Sequence, residues 1–467
     1  MKSLHTVLCV ADPSSPAFER LLDASGTELV RRAWRDSVES IEDAASRADR
    51  LLIVVPEPDE SPTGECLART LDRLYRLAMA SRKRVGVRWM LLTRLDGFAR
   101  CPANWHVDEK WRTRPTSSPA DMVAHLFEAS ARELLRETGI KATVVRVGSI
   151  APDAPELADE LATAWGESPA PDAHFWRIRH VGRRPCAPAD DRPWRQVLAP
   201  PEPIASRPIR NVVVFGAGGP MAAALVPLLA DRYRLRLTDV RPLADIRATG
   251  YPHQPPGSPL PTTPLPPHEE MHCDVADPHA VDAACEGMDA IVNCSVVRYT
   301  DRDFAVNTAG CWNIAQSAVR HRIRRVVQTG PQLTGLDPVV GYHFEDEVPG
   351  NAPPRPGASM YGHSKFLGNE ILRVFAENHG LEVPVLVFNG FATKESRGRN
   401  PFQTTFEDSA EAIRLALEVP ALPSPWEFIT VCNDLPQGRF SAQRATELLG
   451  WKASDDLQDT WSDAGQS

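Results

Sequence analysis

A chain of 467 residues exceeds what one ordinary hydrophobic core accommodates and implies two to three domains. Hydrophobic residues at 42% and charged residues at 24% are globular values, so extensive disorder is excluded. A net charge of −9 excludes a nucleic-acid groove, which shows as a basic excess.

The nine cysteines are scattered and form no C-x-x-C pair, which suits a reducing cytoplasm better than a disulfide framework. No 18-residue apolar run and no secretory h-region occur, so no membrane segment is expected and the setting reads as cytoplasmic. No H-E-x-x-H, metal-spaced Cys/His set or P-loop is present, and no metal is expected.

In chain order, residues 6–10 read as a strand and 16–22 as a short helix, with Ala11-Asp12-Pro13-Ser14-Ser15-Pro16 between them. A helix over 41–48 leads to a strand over 51–55, and a long helix over 65–81 leads to a strand over 88–93. A helix over 121–137 leads to the strand 142–146. Prolines then cluster between Pro169 and Pro208, and again at 242–267 and 349–356. Proline fixes φ and removes a donor, so these stretches read as linkers or surface loops. The expected organisation is a domain over 1–165, a proline-rich linker over 166–207 and a second domain over 208–467.

The second half opens with a β-branched strand, Val212 to Phe215, a glycine turn of Gly216, Gly218 and Gly219, and an Ala/Leu-rich helix. This is the context in which a glycine fingerprint has meaning. Gly216 allows the tight turn, Gly219 lets the backbone approach a pyrophosphate, and Ala222 permits close helix–strand packing; Pro220 suits the first helical turn. A second strand ends at Asp239, 23 residues after Gly216, where a carboxylate accepts hydrogen bonds from ribose hydroxyls and repels a 2′-phosphate. The cofactor expected is therefore NAD. Residues 272–275 end a third strand and 288–295 form a fourth, holding Asn293 and Cys294, the latter read as a small buried residue. A helix over 304–319 leads to a fifth strand over 325–329, and a helix from Tyr361 to about Asn378 follows. Alternating strands and helices imply a parallel sheet covered on both faces.

Tyr361 and Lys365 stand one helical turn apart on one face. A phenol with pKa near 10 is a poor base at neutral pH, and an adjacent ammonium stabilises its phenolate. The same Lys can hold the nicotinamide ribose. The acidic run Glu345-Asp346-Glu347 reads as a solvated loop.

Residues 208–467 resemble an extended short-chain dehydrogenase/reductase of the NAD-dependent epimerase/dehydratase group. Gly216, Gly219 and Ala222 match its glycine turn, Asp239 its NAD-selecting acid, and Tyr361 with Lys365 its Y-x-x-x-K. The resemblance further implies an adenine contact at Asp274 and Val275, a cofactor contact at Asn293, a structural Asn at Asn307, and C-terminal elements at Phe406–Asp408 and Leu448–Trp451. Two departures stand out. The family's catalytic Ser falls on Gly330, with Thr329 just before it as the candidate replacement, and only 78 residues follow Asn389, so the substrate-binding part is short.

Residues 1–165 repeat the order of elements without the chemistry. With Gly139 laid on Gly380, Tyr361 falls on Ala120 and Lys365 on Ala124. The expected fold is therefore α/β, with tandem Rossmann-like doubly wound parallel sheets, the first a degenerate copy. Family members dimerise through two long helices, so the halves are expected to form an intrachain pseudo-dimer or to stand as independent domains, with homo-oligomers open. The expected activity is NAD-dependent epimerase/dehydratase-type oxidoreduction of a small, sugar-like molecule at a hydroxyl or carbonyl, with a non-catalytic NAD-binding sensor or scaffold as the alternative.

Overall fold

The computed structural model describes residues 6–10, 28–56, 64–107, 111, 113–148, 155–166, 176–251, 254–331, 356–388, 390–393, 403–433 and 441–454. The expected helix 16–22, the turn 11–16 and the acidic run Glu345–Glu347 lie outside the described residues. The chain divides into two units, Met1–Ala199 and Pro200–Ser467.

The first unit is built on six strands: β1 (Thr6–Val10), β2 (Glu28–Arg32), β3 (Arg50–Val54), β4 (Arg88–Arg94), β5 (Lys141–Val147) and β6 (Trp176–Val181). They form one parallel sheet in the order β2-β1-β3-β4-β5-β6. Apolar runs such as Leu51-Leu52-Ile53 are fully buried, as expected of strands covered on both faces. Leu157 and Leu161 of the helix Pro155–Gly166 pack on Leu52, Met90, Leu92 and Val145.

Two strands differ from the sequence reading. β6 lies inside the stretch read as a linker, where Trp-Arg-Ile-Arg alternates apolar and polar residues and the strand pairs with β5, so the first sheet continues past residue 165. β2 was not anticipated; its two apolar residues among charges give a faint signal.

The second unit holds β7 (Asn211–Phe215), β8 (Arg234–Asp239), β9 (Glu269–His272), β10 (Ala290–Asn293), β11 (Arg325–Pro331), β12 (Val383–Phe388), the short pair β13 (Gly390–Ala392) and β14 (Gln403–Thr405), and β15 (Trp426–Thr430). Seven of these form a parallel sheet in the order β15-β12-β11-β10-β7-β8-β9. The order reverses between β7 and β10, and that switch point opens a crevice at the carboxyl ends of the strands. The helices Pro220–Ala230 and Phe406–Glu418 cover one face through Ala222, Leu225, Ile413 and Ala416, against Val214, Val292 and Val327. The C-terminal elements are tied to this layer: Trp451 Nε1 donates to the Asp408 carbonyl at 2.9 Å, and Ser454 N to the Asp408 carboxylate at 2.9 Å.

The helices before β5 and β12 are built alike. Pro119–Thr138 and Met360–His379 each have 20 residues, a serine N-cap (Ser118, Ser359) and a left-handed glycine (Gly139, Gly380, both φ 70°) at the far end. A serine oxygen satisfies an orphan N–H of the first turn, and glycine enters the left-handed region without a Cβ clash. Among the described residues no helix is long and apolar enough to cross a membrane.

Candidate active site

The glycine turn follows β7 directly. Gly216 has φ 72°, and a Cβ there would lie 2.7 Å from the backbone of Ser295, so both conformation and close approach to the end of β10 require glycine. Gly219 is the N-cap of the helix Pro220–Ala230, with Pro220 in its first turn and Ala222 fully buried behind it. At Gly218 a Cβ would meet the Ile246 side chain at 2.3 Å and the Asp239 carboxylate at 2.9 Å. Asp239 Oδ2 accepts from Gly218 N at 3.0 Å and Oδ1 from Val240 N at 2.8 Å. The carboxylate expected to read the ribose is thus held against the turn expected to cradle the phosphates.

Tyr251 shares this carboxylate, its hydroxyl donating to Asp239 at 3.1 Å, with Arg241 5.6 Å from its ring. Burial and the Asp239 charge push the Tyr251 phenol well above its usual range, so it stays a donor. It starts a proline-rich segment and carries no sequence signal of its role. Asp274 takes Ala276 N at 3.0 Å and the Arg302 guanidinium at 2.5 Å, while the Val275 carbonyl accepts from Asn313 at 2.9 Å.

Across the switch point, Lys365 is buried and its Nζ donates to the Ser295 carbonyl at 2.7 Å. Ser295 therefore touches both the glycine turn and the lysine. Burial lowers the Lys365 pKa to about 8. Asn293 bonds the Gln328 side chain at 2.8 Å and takes the Ser295 hydroxyl at 2.6 Å, which fixes the end of β10. Burial pushes the Cys294 thiol up to about 12, so it remains protonated.

The helix leading into this region starts with a π-turn, Ala305–Ala309. Asn307 sits in it, donating to the Val297 carbonyl at 3.0 Å and to Ser364 Oγ at 3.0 Å. Gly368 lies so near the Asn307 carbonyl that a Cβ would approach it to 2.2 Å, so the two helices meet backbone to backbone.

Tyr361 is buried in the first turn of its helix, and burial raises its pKa. The cation that touches it is one the sequence reading missed. Arg298, on the loop after β10, places its guanidinium over the phenol ring, 5.2 Å from the centroid. Thr329 donates to the Asn293 carbonyl at 2.8 Å. Successive strand residues face opposite ways: Val327 joins the core under the helices Pro220–Ala230 and Phe406–Glu418, whereas a Cβ at Gly330 would stand 3.7 Å from Asn369 on the Tyr361 helix. The side chain of Thr329 thus shares the face of Val327, not that of Gly330.

The second unit is similar to known proteins. Residues 212–402 match the model of the NAD dependent epimerase/dehydratase family. The match spans less than half of the chain, and this region is similar to that family. It is an NAD-dependent oxidoreductase, and the φ-positive Gly216 cradle with Asp239 beside it fits the dinucleotide. Uronate dehydrogenase of Pseudomonas syringae pv. tomato is 27% identical over 219 residues, covering 46% of this chain and 71% of the relative. That of Agrobacterium fabrum is 29% identical over 196 residues, 41% of this chain and 70% of the relative. Among solved structures, uronate dehydrogenase from Agrobacterium tumefaciens matches 54% of this chain and 86% of its own, at 24% identity and a TM-score of 0.43. The match lies within the second unit, and the first unit is outside it.

Proposed function

We propose that the second unit oxidises a hydroxyl of a sugar acid, with Tyr361 as the base and Lys365 as its supporting cation. The observation that carries this reading is the buried Lys365 ammonium, bonded to Ser295 beside the glycine turn, on the helix face that also bears Tyr361. A buried ammonium is costly to keep, and a sensor needs neither it nor the phenol. The relatives named uronate dehydrogenase support the substrate class.

Bound NAD supplies the hydride acceptor. Asp239 would accept the adenosine ribose hydroxyls, the amides at Gly218 and Gly219 would face the pyrophosphate, and Lys365 would face the nicotinamide ribose. The Tyr361 phenolate takes the proton of the substrate hydroxyl, and the Lys365 charge favours that phenolate. Because burial raises the Tyr361 pKa, oxidation should speed up as pH rises. Tyr361→Phe tests the reading: turnover of a hexuronate should fall at least 100-fold while NAD affinity stays within threefold. Wild-type activity in that variant refutes it. The sensor reading keeps one favourable observation, the absence of a side chain at Gly330, and retained NAD binding without turnover of any sugar acid or aldose would select it.

The first unit we infer to be a copy of the same fold with the cofactor chemistry erased. Its strand order is that of the second unit without the outermost strand at the β9 edge, and the matched serine and glycine caps support the pairing. So do three matching positions. Thr93 pairs with Arg146 across β4 and β5, and Glu128 bonds both, at 3.3 Å and 3.1 Å. In the second unit Gly330 pairs with Val387 across β11 and β12, and Asn369 faces the gap. One NAD per full-length chain is expected by isothermal titration, and two would overturn this inference.

A further inference from the structure

The family's third catalytic position is a serine, and this chain has Gly330 there, while the Thr329 hydroxyl is engaged with the Asn293 carbonyl. A group of a different kind stands at the phenol instead. Arg298 stands with its guanidinium over the Tyr361 ring, 5.2 Å from the centroid. Its side chain is exposed to the solvent side, and among the described residues it forms no ion pair with a carboxylate. A guanidinium carries five donors in a rigid fork and does not deprotonate in proteins. That fork has donors enough for the phenol oxygen and a substrate oxygen together.

The backbone around it is built to hold this position. Tyr299 has φ 57°, a left-handed conformation that costs a non-glycine residue about 1–2 kcal/mol, and such outliers cluster at functional sites. Asp303 fixes the bend, its buried carboxylate taking Tyr299 N at 3.0 Å and Thr300 N at 2.8 Å. The bend sets the Tyr299 ring edge-on to Tyr361 at 6.1 Å, beside Arg298. The ionisable groups facing the phenol are thus Arg298, Tyr299 and Asp303 from this loop, with Lys365 one turn along the Tyr361 helix.

We propose that Arg298 is a third catalytic residue, donating one N–H to the Tyr361 oxygen and another to the substrate oxygen that loses its proton. The inference rests on the Tyr361 reading above. The substrate proton goes to the Tyr361 phenolate, the hydride goes to bound NAD, and Arg298 keeps all its protons throughout. Its charge opposes the effect of burial on Tyr361, so the phenolate forms at lower pH than burial alone would permit.

The test uses the full chain with Arg298→Ala, Arg298→Lys and Tyr361→Phe, NAD and a hexuronate. Removing a donor at a reacting oxygen costs about 100-fold in kcat, so Arg298→Ala should lose that much. The acid limb of its pH–rate profile should move up by at least about one pH unit, with NAD affinity unchanged. Added guanidinium ion should restore part of the rate, and Arg298→Lys should keep the pH limb while remaining slower than wild type. A second readout needs no turnover: near-ultraviolet titration should show one phenol, the one missing in Tyr361→Phe, ionising at higher pH in Arg298→Ala. An unmoved pH limb, an unmoved phenol titration or a kcat within threefold of wild type overturns the proposal. Inactive Tyr361→Phe beside fully active Arg298→Ala sinks this inference alone, whereas active Tyr361→Phe sinks the underlying function.

Discussion

Lys365→Met should stabilise the second unit while removing its activity. The lysine is 2% exposed, and burial lowers its pKa from 10.5 to about 8. At about 1.4 kcal/mol per unit, holding it charged at neutral pH costs roughly 3 kcal/mol. Methionine has similar reach and no charge, but it forfeits the bond to the Ser295 carbonyl, worth about 1 kcal/mol. The expected net gain is about 2 kcal/mol without cofactor. The sign in pH follows from proton counting. Between pH 8 and 10.5 the native state binds fewer protons than the unfolded chain, so wild-type stability climbs through that window. The advantage of methionine should be full below pH 8 and fade toward pH 10.5. Urea denaturation of the full-length protein at neutral and alkaline pH measures this, the second unit's transition being the one that NAD shifts. A variant less stable than wild type at pH 7, or a gap that persists in alkali, refutes the reasoning.

Three further outcomes are expected. Asp239→Ala should weaken NAD about tenfold and close its gap to NADP, about 1.4 kcal/mol; an unchanged preference by titration would place selectivity elsewhere. Thr329→Val removes the bond to the Asn293 carbonyl and should cost about 1 kcal/mol of stability with kcat within a few-fold of wild type. A loss of two orders of magnitude in kcat would make Thr329 a catalytic group after all. Gly330→Ser places a Cβ at ordinary contact, 3.7 Å from Asn369 and Val387, and offers a partner to the Asn369 amide, whose two polar atoms are buried without one. The melting temperature should rise, by about 1 kcal/mol in stability, and a fall would mean that the gap cannot take the hydroxyl.

The places of the glycine turn after its strand, of Asp239 at a strand end and of Tyr361 and Lys365 on one helix were legible because each is set by local spacing. The two 20-residue helices were legible for the same reason, their serine and glycine caps bracketing them in the sequence. Arg298 was not legible. It lies in a loop without periodicity, and only the bend at Tyr299 brings it to the phenol. Thr329 illustrates a finer difficulty, since one residue along a strand decides which face a hydroxyl occupies, and spacing within a motif cannot count so closely. β6 was hidden by its surroundings: prolines on both sides read as a tether, yet six residues between them suffice for an edge strand.

The cluster of Thr93, Glu128 and Arg146 has a consequence for how the two halves tolerate change. Arg146 is 3% exposed, bonded to Glu128, 5.3 Å from the Phe98 ring and 3.2 Å from His180. Removing Glu128 would strand a buried guanidinium, at about 3–5 kcal/mol. The matching place in the second unit holds only Gly330, Val387 and the unpartnered amide of Asn369. The same spot under the long helix is therefore a bolt in one half and a slack joint in the other. Substitutions there should be selected for foldability in the first half, whereas the second can drift at Asn369 and Gly330 and remain folded, free to explore new substrates beside Tyr361.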